Sequence, residues 1–330
     1  MFSLVVFLPL VMVSAFSFDI VTNKSIPDVG SYSWSTVIQL NNSTQPTLSV
    51  PPAPPAFTAD MVIDATKPLS SKSVYLVAVE AMYTFAQVRY DKEILTQTRI
   101  TQTFSDVSII VENVQSAGAI DQLENSHVIE GLYRGIVMMI ERSWWCEAII
   151  GLNVHGTIVG YITILGPQQG AALNSTAAIP PAAIAAARSL EARSRVGGRC
   201  LDREDPFFQL DWTHETESST GMAQEAIYTA VLSGLADAAL HDPGSLTTEV
   251  NAMGPVVGQG PSAYRCDFHI SIDPDDGYQG PLTYYLVTKT FRDVAGYIMT
   301  LANWYGEYTI DLYYQGQLIA YAEVAKIIIN

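Results

Sequence analysis

The chain has 330 residues, 48% of them hydrophobic, which is enough for two ordinary domains or for one domain doubled. Its 33 acidic and 17 basic side chains give a formal net charge of −16, a field that repels phosphate backbones and argues against nucleic acid as a partner. Three cysteines, Cys146, Cys200 and Cys266, lack any CxxC or Cys/His spacing, so no structural metal is expected; in an oxidising compartment they would form one disulfide, of undetermined pairing, and leave one thiol over.

The N-terminus, MFSLVVFLPLVMVSAFS, has an apolar run from Leu4 to Val13 followed by small residues at Ser14, Ala15 and Ser17. It reads as a secretory signal over residues 1–17, although the usual positive start is missing, and is too short to span a membrane. No span is expected once it is cleaved. Asn-x-Ser/Thr sequons at Asn23, Asn41, Asn42 and Asn174 agree with a secreted glycoprotein. Residues 18–70 are rich in Ser, Thr and Pro, with PPAPPA at 51–56, and read as a linker or surface wrap. Within them, Ser33 to Ile38 alternates weakly enough to suggest one edge strand.

A first module spans 71–166. The three-and-four apolar spacing of VYLVAVEAMYTFAQVR predicts an amphipathic helix over 74–89, capped by Ser71 or Ser73. Gln97 to Phe104 and Val107 to Val111 read as strands, and the loop QSAGAI leads to a second helix over 127–141 whose wide apolar stripe implies burial on most sides. After Trp144-Trp145, alternation from Glu147 to Leu165, broken at Asn153 to Gly156, predicts a hairpin.

Residues 167–218 form a connection in which Pro180-Pro181 opens an alanine-rich helix. Arg188, Arg193, Arg195 and Arg199 read as its solvated face, with a processing site or a strip docking the protein's own acidic surface as alternatives. A second module spans 219–330. Glu225 to Thr229 echoes Glu80 to Thr84, Phe291-Arg292 echoes Tyr133-Arg134, and a hairpin turning at Gln315-Gly316 echoes His155-Gly156. The fold class expected is therefore α+β: two tandem degenerate repeats, each helix, strand or strands, helix and hairpin, with helices packed on an antiparallel sheet. Two separate domains and a single four-layer domain both satisfy that pattern.

Chemistry is harder to find. Asp273-Pro274-Asp275-Asp276-Gly277 resembles a calcium loop, but its spacing is short and Tyr284 stands where a glutamate ligand belongs, so a solvated turn is the better reading. Asp202, Glu204 and Asp205, with Asp211, His214 and Glu215, surround Phe207-Phe208 and could serve acid/base chemistry only in a pocket that split their pKa values. Histidines 127, 155, 214, 241 and 269 are scattered, and His269 falls on the opposite strand face from Cys266. No catalytic motif and no cofactor signature is found, and GQGPSA at 258–263 lacks the helix start that a phosphate loop needs. The remaining candidates are aromatic. Trp144, Trp145, Trp304 and Tyr305 sit at matching helix-to-strand junctions and Tyr161 and Tyr321 in matching strands, either as core or as the walls of an apolar small-molecule cleft between the copies.

The first module, through Ser126-His127-Val128-Ile129, Gly131-Leu132-Tyr133, the Met138-Met139 pair, Arg142, Gly156 and Gly160-Tyr161-Ile162, resembles a group of uncharacterised secreted fungal proteins. The resemblance covers about forty residues well and implies a fungal source and placement beside natural-product genes, with no catalytic assignment. The sequence thus favours a secreted binding or accessory protein of secondary metabolism. A cofactor-independent cyclase or isomerase and a secreted effector or cell-surface protein are its alternatives, and oligomeric state is left open.

Overall fold

The structure is a computed structural model that describes residues 36–40, 54–102, 105–115, 121–167, 197–202, 204–214, 221–272, 280–298 and 305–329. The leader, all four sequons, the Ala/Arg helix, the 273–277 loop, Glu215 and Trp304 lie outside the described residues.

The fold is mixed α and β, with two antiparallel six-stranded sheets. The first contains β1 Thr36–Leu40, β2 Phe57–Pro68, β3 Thr98–Thr101, β4 Ser108–Asn113, β5 Cys146–Val154 and β6 Thr157–Leu165, in the order β1-β2-β5-β6-β4-β3. The second contains β7 Gly197–Leu201, β8 Phe208–His214, β9 Glu249–Met253, β10 Tyr264–Ser271, β11 Tyr308–Tyr314 and β12 Gln317–Ile328, in the order β7-β8-β11-β12-β10-β9. Helices α1 Ser71–Ala86 and α2 Asn125–Arg142 serve the first half; α3 Gln224–Ala238 and α4 Tyr284–Asp293 serve the second, α4 running on into a π turn at Val294–Ile298.

Each half therefore begins two strands earlier than the sequence reading placed it. The supposed linker before residue 71 contains β2, which lies between β1 and β5, and the supposed connection before residue 219 contains β7 and β8. In β2, Phe57, Ala59, Met61 and Ile63 are buried while Thr58, Asp60 and Val62 are not, an alternation that the preceding proline run obscures. In β8, Phe208, Leu210 and Trp212 are buried between Gln209 and Asp211, so part of what reads as an acidic loop is a half-buried strand. Arg199 likewise belongs to a strand, not to a helix face.

Local chemistry explains where the elements begin and turn. Ser70, not Ser71 or Ser73, caps α1, its hydroxyl accepting from the Ser73 N–H at 3.3 Å. At α2 the Glu124 N–H donates to His127 Nδ1 at 3.1 Å, so the histidine plays the part a glutamate takes in a capping box. Both hairpins turn on two left-handed residues, His155 (φ 50) with Gly156 (φ 80) and Gln315 (φ 52) with Gly316 (φ 79), the combination that matches strand twist. Each turn has a register shift just before it, at Leu152/Asn153 and Leu312/Tyr313.

Backbone hydrogen bonds fix which positions correspond. Leu69 N–H bonds Trp145 O at 2.9 Å and Met222 N–H bonds Tyr305 O at 2.8 Å; Ile94 N–H bonds Leu123 O at 2.7 Å and Thr247 N–H bonds Leu282 O at 3.0 Å. With caps at Ser70 and Ala223, Tyr75 occupies the position of Tyr228. Glu225 opens α3 whereas Glu80 stands in the third turn of α1, so that sequence echo joins non-equivalent places. Counting from caps Glu124 and Thr283, Arg134 falls opposite Asp293, one residue off the echo with Arg292. The hairpins agree with the sequence pairing, so the second half carries an extra residue between α4 and β11, the stretch in which the chain makes its π turn.

The cores join. Helix α1 contacts α3 and α4, and α2 contacts α3. Gly131 and Gly135 let α2 approach β5 and β6, since a Cβ there would meet Leu152 Cδ2 at 2.4 Å and Ile150 Cδ1 at 2.3 Å. Helix α1 is buried from Ser73 through Val79, with Glu80 the first partly exposed residue after them, as expected of a helix covered on most sides.

Candidate functional site

The aromatic residues singled out in the sequence do not all meet. Trp144, Trp145 and Tyr305 are half-buried and pack against the core. Tyr161 and Tyr321 alternate with buried Ile162 and Ala322 and therefore occupy the opposite, outer faces of two different sheets. Tyr161 lies 3.8 Å from where a Gly151 side chain would begin, and Tyr321 pairs with Asp311. A cleft walled by all six residues is therefore not formed, because equivalent strand positions repeat a face as faithfully as they repeat a residue.

What does meet is a group of phenols drawn from both halves. Tyr75 of α1 and Tyr228 of α3 stack at 3.7 Å between ring centroids, 11° from parallel, joining the two halves at equivalent positions. Tyr228 Oη and Tyr305 Oη are hydrogen-bonded at 3.1 Å, with their rings edge to face at 6.1 Å. Tyr308 of β11 and Cys266 of β10 complete the cluster. The hydroxyls of Tyr75 and Tyr308 are buried and have no hydrogen-bond partner. Burial first, then the neighbouring Tyr228, Tyr308, Tyr305 and Cys266, pushes the Tyr75 phenol well above its ordinary range. Burial and Cys266 do the same to Tyr308, and burial together with Asp267 raises the Cys266 thiol. Tyr75, Tyr308 and Cys266 therefore remain protonated at physiological pH, and two of them are neutral phenols without a partner. Tyr305 is the partly exposed member.

Around the Tyr75–Tyr228 stack the two halves differ. Tyr305 takes the place of Trp145, and Tyr308 that of Ala148, by their shared pairing in the two hairpins. The first half therefore fills with carbon what the second lines with oxygen. A hint was legible in the sequence as the contrast between Trp145 and Tyr305, but Tyr75 and Tyr308 were indistinguishable there from ordinary core residues.

A second constellation gathers charges where the β7–β8 turn meets α4. Lys289 is fully buried, its Nζ 3.0 Å from Asp202 Oδ2 and 3.7 Å from Asp205 Oδ2. Arg292 binds Asp202, Glu204 Oε2 at 2.8 Å and Asp293 Oδ1 at 3.0 Å, and its guanidinium lies 4.1 Å from the Tyr83 ring centre on α1. Burial pushes Asp202 up, but Lys289 and Arg292 outweigh it and leave it below its ordinary value. Burial raises Asp293 to about 7 despite Arg292, with Asp202 adding to the rise. The sequence cluster around Phe207 is thus divided. Asp202, Glu204 and Asp205 belong to this ion network, whereas Asp211 on β8 holds Arg199 through two bonds of 2.8 and 2.7 Å.

No disulfide is present among the described residues, and all three cysteines are buried. The reason is geometric. Cys146 lies in the first sheet, while Cys200 on β7 and Cys266 on β10 are separated by β8, β11 and β12, at about 4.8 Å per strand, far beyond disulfide reach. Cys266 and His269 do fall on opposite faces of β10, and His269 approaches Glu249 at 3.7 Å instead. Among the described residues no group of three or more His, Cys, Asp or Glu is arranged to hold a metal, and no helix is long and apolar enough to cross a membrane.

No family model matches the chain, and no curated protein matches it. Among solved structures, the tandem DUF26 ectodomain of the cysteine-rich receptor-like protein PDLP8 from Arabidopsis thaliana aligns over 74% of this chain and 85% of its own, at 8% identity and a TM-score of 0.18. A protein assigned as a thioesterase from Novosphingobium aromaticivorans aligns over 87% and 99%, at 12% identity and a TM-score of 0.12. Similarity at this level carries no argument about function.

Proposed function

We propose that this chain is a secreted small-molecule-binding protein, built as a tandem duplication closed into one four-layer body, whose site is the phenol cluster beside Tyr305. The observation that carries the reading is the pair of buried, partnerless hydroxyls on Tyr75 and Tyr308. Each costs the ligand-free protein about 1–3 kcal/mol, a cost removed when an acceptor arrives. Protonated phenols select an uncharged ligand, and stacked rings with a thiol select a flat one. The ligand class is therefore a neutral aromatic compound bearing carbonyl or ether oxygens, entering past Tyr305. The N-terminal signal pattern and the sequons support the compartment, and burial protects the Cys146 and Cys266 thiols there.

The cyclase or isomerase reading has less support. It needs an acid–base pair open to a substrate, and in the Asp202–Asp293 pair the Asp202 side chain is fully buried beneath Lys289 and Arg292.

Titration of the purified protein with neutral aromatic ketones and quinones, followed by tryptophan fluorescence, tests the proposal. Saturable binding that weakens at least tenfold in Tyr308→Phe is the expected result. Absence of saturation with every compound, or equal affinity in the variant, sinks it.

A further inference from the structure

The network at the β7–β8 turn has an uneven charge count. Two cations, Lys289 and Arg292, face three enclosed carboxylates, Asp202, Asp205 and Asp293, with side-chain exposures of 0%, 14% and 10%. Glu204 completes the Arg292 contacts from the rim, 63% exposed. One bound proton neutralises the enclosed set. Asp202 Oδ2 is occupied by both cations, and its Oδ1 accepts the N–H groups of Glu204 and Asp205, each at 2.7 Å. Asp293 Oδ2 is the carboxylate oxygen of this set that is buried without a partner, so the proton belongs on Asp293.

The network also ties the halves together. Through Arg292 it reaches Tyr83 on α1, and one turn away Gln87 Nε2 donates to Thr288 Oγ1 of α4 at 2.7 Å. We propose that the Asp202–Asp293 pair is a pH-operated clasp between the two halves: with one proton in it α4 is held against α1, and loss of that proton loosens the contact.

Arg292 and Asp202 act on Asp293 directly, and the charged and titratable groups around that network set the direction. From α4 itself come Arg292 and Lys289, with Tyr285 beside Lys289; from the β7–β8 turn come Asp202, Glu204 and Asp205; from α1 come Tyr83 and Glu80, the latter raised by burial against the pull of Arg292. Asp293 titrates at about 7 in the closed state against 3.8 when released. The closed state thus holds the proton more tightly, and its advantage is complete below about pH 3.8. As pH rises, opening becomes easier by up to about tenfold per pH unit, and the effect levels off above about pH 7. The clasp shares α1 with Tyr75, so its state bears on the phenol site without depending on what binds there.

Hydrogen exchange of the full chain between pH 4.5 and 8.5, corrected for intrinsic rates, reads the clasp directly. Protection in α4 and at the end of α1 is expected to fall several-fold to tenfold per unit up to about pH 7 and then flatten. Asp293→Asn, neutral at every pH, is expected to stay flat throughout. In parallel, carbon-13 NMR of Asp-labelled wild-type protein is expected to show one carboxyl titrating near neutrality, which keeps the test open if the variant fails to fold. Wild-type protection independent of pH, the same slope in Asp293→Asn, or no carboxyl titrating near neutrality overturns the clasp.

Discussion

At His127 a single ring does three jobs that a sequence motif does not advertise. It accepts the Glu124 N–H, stacks on Phe57 at 5.4 Å and 13°, and is buried, which lowers its pKa to about 4 against the opposing pull of Asp121. The unfolded chain takes up this proton near pH 6.5 and the folded chain only near 4. Stability contributed by the neutral ring is therefore full above about pH 6.5 and lost as pH falls toward 4, amounting to about 3 kcal/mol at the lower limit. Replacing His127 with Gln should remove this portion of the acid sensitivity, read as a smaller shift in urea midpoint between pH 7 and pH 4.5. Tyr308 predicts the opposite kind of outcome. Because its hydroxyl has no partner, Tyr308→Phe should stabilise the ligand-free protein by about 1 kcal/mol while weakening ligand binding. A destabilised variant would instead assign that hydroxyl to an internal water.

Among the elements, what the sequence showed plainly was what periodicity controls. The helices around Val77 and Ile136 and both hairpins are where apolar spacing and the His155-Gly156 and Gln315-Gly316 turns put them. Strands β2, β7 and β8 were missed because Pro51 to Pro55 and the Asp202 to Asp211 run mask short alternations with linker-like composition. The phenol cluster was illegible for another reason: Tyr75, Tyr228 and the neighbouring Tyr305 and Tyr308 come from three separate stretches, which the packing of α1 on α3 brings together. That packing is intolerant of added atoms. A Cβ at Gly234 of α3 would lie 2.1 Å from Phe291 Cζ, in a ring that is itself fully buried. Gly234→Ala should gain about 1 kcal/mol of helix propensity and lose about 1–3 kcal/mol to overpacking, a net loss visible as a lower thermal midpoint. A midpoint equal to or above that of the wild type would mean that Phe291 has room to move.

For the whole molecule, the question is whether two halves with the same strand order unfold as two bodies or one. The contacts argue for one. Helix α1 of the first half has its apolar surface divided between its own sheet and α3, the Tyr75–Tyr228 stack has no solvent-exposed ring, and Arg292 binds across to Tyr83. A half released from its partner would expose α1 along most of its length, and such a helix is not stable in water on its own sheet alone. The buried thiols provide a reporter in each half, Cys146 on β5 at 5% exposure and Cys266 on β10 at 0%. Pulsed thiol labelling across a urea gradient, with the modified peptides resolved by mass spectrometry, should therefore show Cys146 and Cys266 becoming reactive at the same midpoint. Arg292→Met, which leaves Asp202 and Asp293 without their shared cation, should move both midpoints down together by about 3–5 kcal/mol of stability. Separate midpoints for the two thiols in the wild type would show instead that each half holds its own core, and that the junction carrying the phenols and the clasp is a contact between domains that fold independently.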